Sequence, residues 1–194
     1  SSTATAIVKK QEGNYFENLI SYTINYNKLD QNFQPTEGFK MGFEQVLPIY
    51  SDDLSIENTL NYSKYISISD NLILSTKFFS ITVISIDEDV RVSRRVYIPS
   101  SKLRGFEAGK IGPVDQGDFV GGNYASALNF EAQLPNLLPE ATQTDVAAFL
   151  DLGNLWSVDY DSSAGSSSKL RSSIGVTTQL YTPIGPVNFV LAQP

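Results

Sequence analysis

Few residues in this chain could do covalent chemistry. It contains neither Cys nor His, which removes thiol catalysis, zinc–thiolate sites, disulfides and the commonest general base. Carboxylates remain. Glu131, in NFEAQLP, and Asp151, in FLDLGNLW, lie on successive strand-like segments, and two carboxylates flanking a bond are the equipment of a glycosidase. No aromatic sugar platform stands beside them in the sequence. The acidic run Asp87-Glu88-Asp89 suggests calcium but lacks the ligand spacing of an EF-hand loop, so it reads as a solvated loop. Gly121-Gly122-Asn123 is not a phosphate cradle, because neither a helix pattern nor a basic residue follows it. Arg104-Gly105-Phe106, taken alone, is a turn with a solvated Arg.

The segments that carry these residues alternate with period two. Over 16–26, Asn18, Ile20, Tyr22, Ile24 and Tyr26 share one face, with Ser21, Thr23 and Asn25 on the other. Asn32, Pro35 and Gly38 punctuate a turn over 30–38. A second strand over 39–48 sets Phe39, Met41 and Phe43 against Lys40, Gly42 and Glu44. A third spans 56–66, with Leu60 and Tyr62 opposed to Thr59, Asn61 and Ser63. A fourth spans 72–84, where Phe78-Phe79 leaves the faces ambiguous. The charged stretch 87–123 is too long for a hairpin connection.

Strands resume over 124–134, 146–156, 170–181 and 187–193. Glu131 shares its face with Asn129 and Gln133, against Leu128, Phe130 and Leu134. Asp151 shares its face with Ala147, Phe149, Gly153 and Leu155. Leu170, Ile174, Val176 and Leu180 oppose Arg171, Ser173, Thr177 and Gln179. The run SSAGSSS over 162–168 is a flexible loop. Thr182-Pro183-Ile184-Gly185-Pro186 is a tight turn that should join its flanking strands as a hairpin. About eight strands and no convincing helix make an all-β meander.

Composition bounds what such a meander can be. A chain of 194 residues makes one domain or part of a larger one. No stretch reaches the ~18 apolar residues of a transmembrane helix, but a barrel strand needs only ~9–11 alternating residues. A net charge of −7 argues against nucleic acid. No signal peptide opens the chain, so an exported protein would be in hand as its mature form or a piece of it. Alternation alone suits a membrane barrel or a soluble sandwich equally. The placing of Tyr22, Tyr26, Trp156, Tyr160 and Tyr181 near strand ends, as in interface girdles, favours the barrel.

Taken together, LRGFEAGKIGPVDQGDFVGGN (103–123), Glu131, FLDLGNLW and LRSSIGVTTQLYTPIGPVNF resemble the C-terminal barrel of the BamA family, in the bacterial surface antigen superfamily. YNKLDQNFQPTEGF (26–39) fits the same alignment, so the resemblance runs from about residue 15 to the end. It implies an antiparallel transmembrane β-barrel, here a partial barrel of about eight strands with one long inward-folding loop. Residues 1–14 would be the remnant of a preceding loop or strand, and 15–194 the C-terminal half of the barrel with its last strand missing. The periplasmic POTRA domains and the first half of the barrel would lie outside the chain.

In the family, the loop's Arg-Gly-Phe tip latches in the lumen. Carried over, Arg104 contacts Glu131 and Asp151, Gly105 makes the bend and Phe106 is an apolar plug. Such an Arg would keep both carboxylates ionised, against the glycosidase reading. The implied function is non-covalent assembly and insertion of outer-membrane β-barrel proteins: no enzyme, no cofactor, no metal. The implied partners are outer-membrane lipids, unfolded barrel clients and accessory lipoproteins, and the implied location is the bacterial outer membrane. The alternatives are the translocation-and-assembly relative of BamA, told apart by its number of POTRA domains, and a soluble carbohydrate-binding β-sandwich. Two departures stand out: Thr182 where many relatives carry Ser, and RRVYIPSSKLRGF, which lacks a Gly-rich approach to the loop tip.

Overall fold

The computed structural model of the chain describes residues 9, 11–86, 89–139, 142, 144–159 and 169–194. In chain order the strands are β1 (Leu19–Asn27), β2 (Gly38–Pro48), β3 (Ser55–Ser69), β4 (Leu72–Ser85), β5 (Val114–Asp115), β6 (Asp118–Phe119), β7 (Tyr124–Leu134), β8 (Thr144–Trp156), β9 (Arg171–Thr182) and β10 (Gly185–Gln193). Eight of them form one antiparallel sheet in the order β1-β2-β3-β4-β7-β8-β9-β10, and β5 pairs only with β6. A single continuous sheet, rather than two packed ones, rules out the sandwich. The sheet is not closed: β1 and β10 each pair on one side among the described residues. Each of the eight expected strands forms within a few residues of its anticipated position.

Cross-strand register gives every side chain of the sheet an inward or outward face. The Phe78-Phe79 ambiguity resolves cleanly. Phe78 pairs with Tyr62 and Leu128 on the outside, while Phe79 pairs with Asn61 and Ala127 on the inside. Both faces of β4 are apolar there because the inner one is covered by the long loop, and Phe79 is buried. Lys40, Glu44, Glu57, Lys77, Glu131, Asp145, Asp151 and Arg171 all face inward; Lys64 alone among the charged strand residues faces out. The outward face is otherwise apolar over most of its height, with Ile174 at 62% and Val176 at 43% exposure.

The girdle expectation needs one correction. Tyr181 lies on the inner face with Arg171 and Ser173, because its position differs from that of outward-facing Ile174 by an odd step along the strand. It hydrogen-bonds Asp145 at 2.8 Å and meets Phe33 edge-on. Tyr160, the SSAGSSS run and Asp87-Glu88 lie outside the described residues; Asp89 is exposed. Tyr124 and Trp156 stack outside, near the loop end of the sheet, with ring centroids 6.1 Å apart.

The hydrophobic core sits inside the curve of the sheet, and most of it comes from the long loop. Val90, Val96, Ile98, Leu103 and Ile111 of the loop pack on Val83, Ala125 and Leu155 of the wall, with Phe106 and Ile81 partly buried against them. The long charged segment thus also carries an apolar core of its own. It contains a 3-10 turn (Val92–Arg94), a bridge between Val96 and Gly122, and the β5–β6 hairpin. Gln116 and Gly117 turn that hairpin with φ of 50° and 95°, the left-handed pair that suits a tight antiparallel turn. The cue was present in Asp115-Gln116-Gly117-Asp118 but is weak without long flanking strands.

Candidate functional site

Three side chains from three elements meet in the lumen. Arg104, in the loop, sends Nη2 and Nε to the two oxygens of Asp151 on β8, at 2.6 and 2.8 Å. Its Nη1 donates to Oε1 of Glu131 on β7 at 2.7 Å. The forked contact to Asp151 is the geometry that guanidinium and carboxylate match and that an ammonium cannot reproduce. The Arg104 backbone N–H donates to the same Asp151 carboxylate at 3.0 Å. The guanidinium also lies 3.7 Å from the centre of the Phe149 ring, so both its edge and its face are occupied.

Asp151 is fully buried, with side-chain exposure of 0% against 12% for Arg104 and 10% for Glu131. A buried carboxylate is tolerable only when its lone pairs are satisfied. Asn129 supplies the remaining donor, giving 2.8 Å to Asp151 and 2.7 Å to the Lys102 carbonyl of the loop. Glu131 is shared: Lys77 on β4 donates to its other oxygen at 2.6 Å, and Ser75 lies at 3.3 Å. Two cations and two carboxylates therefore form one neutral cluster across β4, β7, β8 and the loop.

Sequence reading placed Asn129 on the face of Glu131 without giving it a partner. It missed Lys77, whose inward face was hidden by the Phe78-Phe79 doublet, and Phe149 as the floor beneath the guanidinium. Gly105 turns the tip with φ of 86°, and a side chain there would collide with Ala192 on β10 at 2.9 Å. Phe106 is half-buried, packed against the loop core.

The loop's entry is anchored by apolar residues and ions instead of a Gly-rich approach. Ile98 and Leu103 are buried, and a turn closes between them from Lys102 N–H to the Pro99 carbonyl at 2.8 Å. At the rim, Arg91 bonds Asp53 at 3.0 Å and Glu17 at 2.7 Å, and lies 3.7 Å over Tyr15. The return is fixed by Asn123, whose N–H donates to the Ser157 carbonyl at 2.8 Å and whose carbonyl accepts from Val83. Gly122 faces the Trp156 carbonyl so closely that a Cβ would stand 2.6 Å from it.

Beneath the latch lies a cavity of about 1060 Å³ lined by Gln34, Arg104, Glu131, Asp145 and Tyr181 among others. Gln34 reaches across it from the β1–β2 connection to Asp145 at 2.5 Å and Tyr181 at 2.8 Å. The paired carboxylates do not form a glycosidase centre: Arg104 stands between them, on the aromatic ring that a sugar would need. Among the described residues, no group of three potential metal ligands gathers.

An apolar-out, polar-in antiparallel wall with a long loop docked on its inner face is the architecture of an outer-membrane β-barrel. The chain belongs to the Omp85 superfamily, whose domain matches residues 1–194. It is 28% identical over 197 residues to the outer membrane protein assembly factor BamA of Neorickettsia risticii (strain Illinois), aligning 96% of this chain with 26% of that protein. The crystal structure of BamA from Haemophilus ducreyi lacking POTRA domains 1-3 matches with a TM-score of 0.79 at 25% identity, over 91% of this chain and 38% of that one. The chain thus spans well under half the length of these relatives. It is a bacterial outer-membrane protein, and its outward face is the lipid face. Both relatives carry the name BamA, and the first is called an outer membrane protein assembly factor.

Proposed function

We propose that this chain is barrel wall of a BamA-type factor that assembles and inserts β-barrel proteins in the outer membrane, without covalent chemistry or a cofactor. The observation that carries the reading is the loop held inside the wall by Arg104 on Asp151 and Glu131, in a chain that aligns over 96% of its length with BamA. Residues 15–194 are the C-terminal half of the barrel, and residues 1–14 belong to a preceding loop or strand. Arg104, Gly105 and Phe106 are the latch of the loop, with Glu131 and Asp151 as its lumen partners. Unfolded barrel proteins are the clients, and accessory lipoproteins complete the machine.

The physics supports a mechanical role for the latch. Charge-assisted hydrogen bonds contribute ~1.5–3 kcal/mol each, enough to hold an otherwise wandering loop in one position. A loop so held stiffens the wall while the energy for insertion comes from folding of the client. The test reconstitutes the full-length protein in vesicles and follows the folding of an added barrel client. Acceleration over empty vesicles, reduced in Arg104→Ala, is the expected result. A wild-type protein that gives no acceleration overturns the assembly reading. Full activity and full stability in Arg104→Ala overturn the latch alone.

A further inference from the structure

The lipid face carries one charge that the fold does not explain. Lys64 is the charged strand residue that points outward, and it is exposed. It lies in a cross-strand row with Phe39 and with Lys28, whose N–H donates to the Phe39 carbonyl at 2.9 Å. The two lysines therefore flank Phe39 on the same face, two strand spacings or about 10 Å apart at the backbone. Neither ion-pairs with a carboxylate among the described residues.

Aromatic rings surround the pair. Tyr26 and Phe39 stand 5.6 Å apart, Phe39 and Tyr62 6.1 Å, and the Lys28 ammonium lies 5.9 Å from the Tyr26 ring centre. The tightest turns, 70–71 and 183–184, leave the same end of the sheet as the 28–37 connection, whereas the longest connections, 86–123 and 157–170, leave the other. In outer-membrane barrels short turns are periplasmic and long loops extracellular. Lys28 and Lys64 thus sit at the periplasmic side, level with the start of β2.

A lysine in the hydrocarbon is tolerated when its stem can carry the ammonium to the interface, and its cost falls steeply there. The counter-charge that this wall withholds is one that a membrane provides. We propose that Lys28 and Lys64, with Tyr26, Phe39 and Tyr62, bind the headgroup phosphate of an anionic phospholipid in the periplasm-facing leaflet. Two ammoniums converge on the phosphate, the tyrosine hydroxyls add donors to the same row, and the ring faces take the first methylenes of the acyl chains. The site stands out because the chain as a whole carries a net charge of −7, so its overall field does not favour anionic lipids. This goes beyond the assembly reading and requires only that the outward face meet lipid.

The test is native mass spectrometry of the full-length protein in neutral detergent, titrated with phosphatidylglycerol and, separately, phosphatidylcholine. Both carry the phosphate, but only the first is anionic. The wild type should prefer phosphatidylglycerol, and Lys28→Gln and Lys64→Gln should each weaken that lipid about fivefold with little change for phosphatidylcholine. Lys64→Arg should keep the preference, and it serves as the test variant if the glutamine forms do not fold. Lys40→Gln, on the inner face, should change nothing. Equal binding of the two lipids by the wild type, or an unchanged preference in the double glutamine variant, overturns the proposal. So does displacement of the lipid by millimolar inorganic phosphate, which would make this a free-anion site. Loss of a co-purifying protein in the double variant, with the lipid preference intact, would instead make the row a protein-docking surface.

Discussion

Arg104 is coupled unequally to its two carboxylates, and the inequality can be measured. Glu131 keeps Lys77 at 2.6 Å when the Arg104 side chain is removed, whereas Asp151 keeps only neutral donors, the Asn129 amide and the backbone N–H of residue 104. Breaking a buried pair by deleting one partner costs ~3–5 kcal/mol, less where water reaches the cluster, and the cavity below the latch admits water. In the full-length protein, Arg104→Ala should therefore lower barrel stability chiefly through the stranded Asp151. A double-mutant cycle in a denaturant titration should give a larger coupling for Arg104 with Asp151 than with Glu131. Arg104→Lys should recover only part of the loss, since one ammonium cannot replace the fork. Simple additivity of Arg104→Ala and Asp151→Ala would mean that the loop tip is not held by this pair.

The strands make the next prediction, because their two faces meet different solvents. Ile174 and Val176 on β9 face lipid, while Thr177 faces the lumen beside the cavity. Arg at either of the first two should cost ~2–4 kcal/mol near the midplane, and Thr177→Arg much less, in the same folding titration. Equal costs at all three would reverse the face assignment. The β1–β2 connection adds a pH test. The Thr36 hydroxyl, at 2.8 Å, together with the Thr36 and Glu37 amides, holds Asp30 below its ordinary carboxylate range. A lowered pKa means that the turn is stabilised above the usual range and loses that support only as pH falls through the folded value. Protection of the Thr36 and Glu37 amides, corrected for their intrinsic exchange rates, should therefore persist through the ordinary carboxylate range and fall only at more acidic pH, and Asp30→Asn should abolish the change. These strands and faces were legible in the sequence because period two is a local signal. Lys77 was not, because an aromatic doublet broke the alternation at that point. Nor was the loop's apolar core, since Val90, Val96, Ile98, Leu103 and Ile111 follow no period and find their partners only across the fold.

At the scale of the whole molecule, the sheet and the loop depend on each other. The wall contributes Val83, Ala125 and Leu155 to a core that the loop completes, and Gly112 approaches Leu155 so closely that a Cβ there would overlap its side chain. Yet β1 and β10 each leave a row of backbone donors and acceptors without strand partners among the described residues. Hydrocarbon does not tolerate such edges, and in water they recruit other chains. The internal core cannot compensate, because it covers the inner face and leaves both edges bare. The 194-residue chain expressed alone should therefore aggregate from denaturant or form mixed oligomers in detergent, without the compact heat-sensitive gel band of a closed barrel. The same residues within the full-length protein should give that band, and capping β1 and β10 with their neighbouring strands should be sufficient to restore it. A monodisperse, heat-modifiable monomer from the isolated chain would show that the two edges pair with each other, closing a smaller barrel than the open sheet described here.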